Sequence, residues 1–260
     1  MILTMLTISN LVVYSPLEQF EVTNLLGLNA PILGYFNITL TNLALYTIIV
    51  LFLVISLSYI GNNENKLLPS RWSIALESIF ASLNTIVREQ IGREIYLPFI
   101  YSLFIFILFA NLIGIIPYSF TVTTSAIVCI GLSVTIFISV TILGLTIHKL
   151  HFFSYFIPSG TPLGLVPMLV FIELISYFAR AGSLGIRLFA NMCAGHVLLK
   201  ILSSFLFKAF SAGVLFSIIA LIPFPIFVGI IGLEFAICFI QAYVFTLLTC
   251  SYIKDANDLH

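Results

Sequence analysis

The sequence predicts an all-α polytopic membrane protein: one N-terminal transmembrane helix, one amphipathic interfacial helix, a transmembrane helical hairpin, and a long, strongly tilted two-helix hairpin. Three observations predict it. Of 260 residues, 61% are hydrophobic and only 8% are charged, where soluble domains carry about 25% charged residues. Uncharged apolar runs recur along the chain, each long enough to cross a ~30 Å hydrocarbon core with about 20 helical residues. The ionisable residues that do lie inside such runs gather in the second half of the chain. Net charge is zero, which argues against nucleic acid as a partner. Cys129, Cys193, Cys238 and Cys250 stand singly in apolar runs and read as small core residues, with no metal-ligand or disulfide spacing.

The chain reads as a single membrane domain, 1–260. Its N-terminal arm, 1–37, contains Glu18 and Glu21 but no Lys or Arg. Without a basic n-region, no secretory signal is expected. Residues 38–60 form an uncharged run that fits one transmembrane helix. GNNENK then ends it, with Gly61 as the stop and Lys66 beyond. In 66–93, Leu76, Ile79, Phe80, Leu83, Ile86 and Val87 recur at helical spacing, while Glu77, Asn84, Arg88 and Glu89 take the other side. This is expected to be an amphipathic helix lying in the interface, with Arg71 and Trp72 as its anchor. The alternative is a helix packed on a soluble subunit.

No charge occurs between Glu94 and His148, a length that fits two crossings at 97–116 and 122–147 with a turn near Pro117. Asn111 in the first reads as an interhelical hydrogen-bonding residue that aids packing. The loop IPSGTPLGLVP follows, and 162–255 is expected to form a tilted hairpin turning at Gly213. A helix from Pro167 to Phe207 would be roughly 60 Å long at 1.5 Å per residue, twice the hydrocarbon thickness. It must lie strongly inclined or break near Gly182–Gly185. Pro223 and Pro225 are expected to kink the second arm. Lys66, Arg71, Arg88, Arg93, Lys149 and Lys254 fall on one side of this topology. That places the 61–94 connection, the 148–160 loop and the C-terminus toward the matrix or cytoplasm. Lys200 and Lys208 are expected to snorkel to the opposite interface.

Charges at mid-membrane cost roughly 2.5–3.5 kcal/mol each on insertion scales, so they mark function. Glu173, Arg180, Arg187 and Asn191 fall on one helix face, while His196, nine residues beyond Arg187, points to nearly the opposite side. Glu234, Gln241 and Asp255 are separated by multiples of seven and share a face of the last helix. An antiparallel hairpin can bring His196 and Glu234 together. The pair serves either as a proton relay, since histidine titrates near neutrality, or as an ion pair fixing the hairpin register. Arg187 is no relay, because guanidinium does not deprotonate. It either blocks protons and stabilises an opposing carboxylate, or pairs with Glu173 or Glu234. Arg180 is open to the same structural pairing with Glu173. Ala179, Ala181, Gly182, Ser183, Gly185, Ala190, Ala194 and Gly195 permit close approach of another helix.

SLGIRLFANMCAGH (Ser183–His196), LEFAICFIQAYVFTLL (Leu233–Leu248), ANLIGIIPYSF (Ala110–Phe120) and PSGTPLGLVP (Pro158–Pro167) resemble subunit a of the F-type ATP synthase, over nearly the whole chain after about Ser15. His196 after Ala-Gly, with Glu234 downstream, is similar to the mitochondrial branch; SPLEQFE and SYIKDA look fungal. The resemblance implies a stator of the Fo motor in the mitochondrial inner membrane, N-terminus in the intermembrane space and C-terminus in the matrix. It implies a c-subunit ring as partner, with peripheral-stalk subunit b, small Fo subunits and a synthase dimer. It carries proton intake to His196 and Glu234 and release to Glu173 and Asp255. Arg187 matches the arginine between the two half-channels, with Asn191 and Gln241 near it. No cofactor, metal or catalytic site is expected in this chain, and G-x-x-x-x-G-K-[ST] is absent. A self-contained proton-coupled secondary transporter is the rival, but it predicts internal repeats, and the Arg187 stretch has no second copy. A purely structural scaffold would leave Glu173, Arg187 and Glu234 unexplained.

Overall fold

The computed structural model describes residues 17–32, 36–61, 70–116, 119–156 and 164–257. In order they form strands β1 (Asn24–Ile32) and β2 (Phe36–Thr41) and helices α1 (Asn42–Gly61), α2 (Arg71–Gln90), α3 (Leu97–Ile115), α4 (Ala126–His148), α5 (Val166–Ser211), α6 (Val214–Ala220) and α7 (Pro223–Asn257). Five of the described helices are long and apolar enough to cross a membrane: α1, α3, α4, α5 and α7. The protein is an all-α polytopic membrane protein in which β1 and β2 form one small antiparallel hairpin. The residues before Ser15, the 62–66 break with Lys66, the Pro117 turn and the 157–163 part of the proline loop lie outside the described residues.

The first crossing begins at Asn42 rather than at residue 38, because residues 38–41 pair in β2. Thr41 acts as the helix cap, its Oγ1 accepting from the Ala44 amide at 3.3 Å, a bond that satisfies one of the orphan amides of a first turn. α2 starts at a serine cap, Ser70, whose Oγ accepts from the Ser73 amide at 3.2 Å. It ends at Gly92, whose φ of +71° and amide bond to the Val87 carbonyl at 3.2 Å close the helix in the left-handed conformation that glycine tolerates. Leu83 and Val87 are buried against the bundle, while Trp72 is 62% exposed. An apolar stripe on one side and an exposed indole at the start suit an interfacial helix.

α3 is the centre of the molecule. Ile100, Leu103, Phe104, Ile107 and Leu108 are buried in the main core with residues of α2, α4, α5 and α7. α1 and α7, by contrast, turn long apolar side chains such as Phe52, Ile55, Phe235 and Ile240 outward, as lipid-facing or partner-facing helices do. α4 crosses α5 closely at Gly185: a Cβ there would lie 2.8 Å from the Cys129 carbonyl oxygen and 3.0 Å from the Ile130 Cα. Beside that crossing the Ser133 hydroxyl donates to the Ala181 carbonyl. Close backbone approach through small residues is how helices pack where lipid removes the hydrophobic drive.

α5 runs 46 residues without interruption through Gly182 and Gly185, so the inclined alternative holds and the break does not occur. At 1.5 Å per residue its length is about 69 Å, more than twice the ~30 Å core, and only a steep incline keeps it in the membrane. Gly213, at φ +134°, makes the turn. Pro223 is the first residue of α7 and Pro225 the third; the second arm, one apolar span from Phe216 to Asn257, is interrupted at 221–222 directly before them, as expected where proline removes helical bonds. The α4–α5 crossing generates a direct prediction. Gly185→Ala overpacks against main chain and should destabilise the fold by about 1–3 kcal/mol. A lower melting temperature of the purified assembly is expected, and an unchanged one would contradict the crossing.

Candidate functional site

Three polar stations lie along α5, at Arg180, Arg187 and His196. The helical rise puts about 10 Å along the axis between the first two and about 14 Å between the last two. They therefore sit at different depths of the inclined helix.

At His196 three elements converge. The Nδ1 atom lies 3.2 Å from Oε1 of Glu234 on α7, and Nε2 lies 3.0 Å from Oγ1 of Thr121 in the α3–α4 turn. Which nitrogen carries the proton decides which of the two contacts it donates to. Glu234 is 3% exposed, and neither of its carboxylate oxygens has a hydrogen-bond partner among the described residues. The His196 contact is thus a close electrostatic approach without an aligned hydrogen bond. Gly195 makes room for it, since a Cβ there would meet Glu234 Oε1 at 2.9 Å. Gly114 likewise makes room for the Thr121 side chain. One turn before Gly114 on α3, Asn111 is fully buried, and both its amide atoms lack a partner among the described residues, as does Thr123 Oγ1. Buried polar atoms of this kind are matched in native proteins by water when not by protein.

At the other end, Arg180 Nη1 donates to Asp255 Oδ2 at 2.9 Å and to the Tyr155 hydroxyl at 3.0 Å. Its Nη2 is 3.8 Å from Glu173 Oε1. The pairing with Glu173 is present, but Asp255 on α7 is the nearer partner. Aromatic rings wall this station: Tyr177 stands edge-on to Tyr155, with ring centres 6.3 Å apart, and its hydroxyl lies 2.9 Å from Thr141 Oγ1 on α4. Just beyond Asp255 the end of α7 is pinned. His148 Nε2 lies 3.0 Å from the Asn257 carbonyl oxygen, and the Tyr96 hydroxyl donates to Asn257 Oδ1 at 3.3 Å. These contacts occupy groups that a helix C-terminus leaves open.

Between the two stations Arg187 is exposed and has no ion-pair partner among the described residues. Its nearest polar contact is Ser183 Oγ at 3.4 Å, one turn back. Glu173 is engaged by Arg180 and Glu234 by His196, so neither sequence-derived pairing for Arg187 forms. Gln241 and Phe245 of α7 line a small recess with Arg187, which brings the buried Gln241 side by side with the guanidinium. Asn191, one turn along α5, is exposed on the same face, as are Ile186, Ala190 and Ala194. A permanent cation thus sits on an open, mostly small-residue helix face.

All eight residues singled out in the sequence fall in these three stations. Two contributors were missed, Thr121 and Tyr155, because both lie in short connections whose path the helical period does not reveal. Asn111, expected to hydrogen-bond a neighbouring helix, is fully buried with no partner for its amide atoms among the described residues.

Residues 44–254 match the family model described as ATP synthase A chain. The chain is 66% identical over 250 residues to ATP synthase subunit a of Mycosarcoma maydis, covering 95% of this chain and 98% of that protein. It is 50% identical over 251 residues to ATP synthase subunit a of Emericella nidulans, with 95% and 98% covered. Against ATP synthase subunit a of Kluyveromyces lactis it is 47% identical over 254 residues, with 96% and 99% covered.

The Arg180 station yields a prediction that does not depend on activity. Arg180→Gln leaves Glu173 and Asp255 without their cation and should cost about 1–3 kcal/mol. A fall in the thermal stability of the detergent-solubilised assembly is expected, with Arg180→Lys recovering part of it. Equal stability of Arg180→Gln and the parent would show that the cluster holds nothing together.

Proposed function

The chain belongs to the ATP synthase A chain family, and from that membership we propose that it is the stator of the Fo motor in the mitochondrial inner membrane. It forms two offset proton half-channels against a rotating ring of c subunits and couples proton passage to rotation and ATP synthesis. Subunit b of the peripheral stalk, the small Fo subunits and a second synthase are its further neighbours. The N-terminus faces the intermembrane space and the C-terminus the matrix, in keeping with the basic residues gathered at the α1–α2 connection, the α4–α5 connection and the end of α7.

The observation that carries this reading is the position of Arg187. Among the described residues it stands exposed and without an ion-pair partner, between two ionisable stations that lie toward opposite ends of α5. On the intake side, His196 and Glu234 can pass a proton between them across 3.2 Å, and the unpartnered Asn111, Thr123 and Glu234 atoms offer water a hydrogen-bonded path to them. On the release side, Glu173 and Asp255 accept the outgoing proton and Arg180 orients both carboxylates. Arg187, with Asn191 and Gln241 beside it, meets each ring carboxylate as it passes. A fixed cation favours the ionised carboxylate, so the proton is released there and the ring cannot carry it straight from one half-channel to the other. The small, exposed residues of α5 around Arg187 leave room for a ring helix to slide by. Since one charge crossing 100 mV contributes about 2.3 kcal/mol, several crossings must be summed for each ATP, and such a device prevents that sum from leaking away.

Two substitutions test the assignment. Arg187→Ala should abolish ATP-driven proton pumping while the complex still assembles, because among the described residues it hydrogen-bonds only Ser183. Coupled pumping at the parental rate would remove the assignment. Glu234→Gln keeps the side-chain volume but loses the proton-carrying group, and should slow proton translocation by about 10²-fold. A parental rate across the pH range would leave the His196–Glu234 contact as a structural pair.

A further inference from the structure

Among the described residues, three groups surround the His196 imidazole, two of them at its nitrogens. The remaining one is Phe20, from the short turn Glu18–Phe20 of the N-terminal arm, whose ring centre lies 6.4 Å from the imidazole at a 55° tilt. The arm is clipped in that position at Asn42, the first residue of α1. The Asn42 amide donates to the Thr23 carbonyl at 3.1 Å, the Thr23 amide donates to Asn42 Oδ1 at 3.3 Å, and Asn42 Nδ2 donates to the Glu21 carbonyl at 3.1 Å. Three bonds fix the backbone of residues 21–23, and the half-buried Phe20 side chain is thereby set against His196.

The consequence is steric. With Nδ1 against Glu234 and Nε2 against Thr121, and only 13% of the side chain exposed, the imidazole meets outside water directly through a small opening that bears on how fast it exchanges protons. Thr121 is held by the α3–α4 turn and Glu234 by α7, both parts of the packed bundle. Phe20 is on a segment whose side-chain hydrogen bonds to Asn42 are exposed, the kind that opens most readily.

We propose that residues 17–23 are a hinged cover over the proton-accepting histidine, that Phe20 is its contact residue, and that displacement of this segment from Asn42 speeds the access of water and protons to His196. The proposal rests on the proton route assigned to His196 above. Phe20 is a positioning residue: it exchanges no proton and sets how often the imidazole meets water.

The test uses the assembled synthase in mitoplasts, which expose the intermembrane face. In a His196→Cys background, labelling at position 196 by a membrane-impermeant maleimide is followed by mass spectrometry, so that the native cysteines do not interfere. Phe20→Ala should speed labelling about tenfold, the factor that corresponds to losing about 1.4 kcal/mol of apolar contact. Thr23→Pro, which removes the amide donor to Asn42 and leaves Phe20 in place, should act in the same direction. Unchanged labelling in both variants overturns the cover. ATP synthesis driven by an imposed proton gradient in Phe20→Ala, with His196 retained, is the second readout. Faster labelling with a shifted dependence of synthesis on intermembrane pH supports control of proton uptake. Faster labelling with synthesis unaltered at every pH overturns that control and shows that protons bypass His196, a failure of the route and not of the cover.

Discussion

Everything in this structure turns on one guanidinium that cannot lose its proton. Arg187 is held on an exposed helix face, and its one hydrogen bond among the described residues is to a serine. A buried carboxylate beside it would remove the insertion penalty but also remove its usefulness, because a neutralised pair attracts no passing anion. The two glutamates that could have done this are engaged elsewhere: Glu173 by Arg180 and Glu234 by His196. The compensating charge is left to come from outside the chain.

The unbroken length of α5 serves that constraint. A perpendicular helix of some 20 residues would crowd Arg180, Arg187 and His196 close together in depth. A 46-residue helix, forced by its length to lie inclined, spreads the three stations along a shallow path. α7 runs back beside it and supplies one acidic partner at each end, Glu234 and Asp255. The glycines do different jobs along this path. Gly185 lets α4 come within main-chain contact, Gly195 leaves space for the Glu234 carboxylate, and Gly213 turns the hairpin.

Much of this was legible in the sequence. The spans, the interfacial helix and the shared face of Glu173, Arg180 and Arg187 follow from apolar run length and a period of 3.6. The His196–Glu234 approach follows from their similar distances to Gly213. What the period does not encode is contact between segments far apart in the chain. Thr121 reaches His196 across 75 positions, Tyr155 caps Arg180 from a connection without periodicity, and the hairpin of β1 and β2 lies in an arm too short of pattern to read. Arg180 and Arg187 show the same limit. Seven residues apart on one face, they are equivalent by pattern, yet one is tied into a cluster and the other is left open, a difference set by where α7 places Asp255.

The most direct test of the central claim is passive proton leak through an Fo assembly whose ring is cross-linked to this chain so that it cannot turn. With Arg187 present, an imposed potential should drive no proton current above that of lipid alone. With Arg187→Ala in the same locked assembly, current should appear, because nothing then separates the two half-channels. A locked assembly that leaks with Arg187 in place, or stays tight without it, would contradict the account.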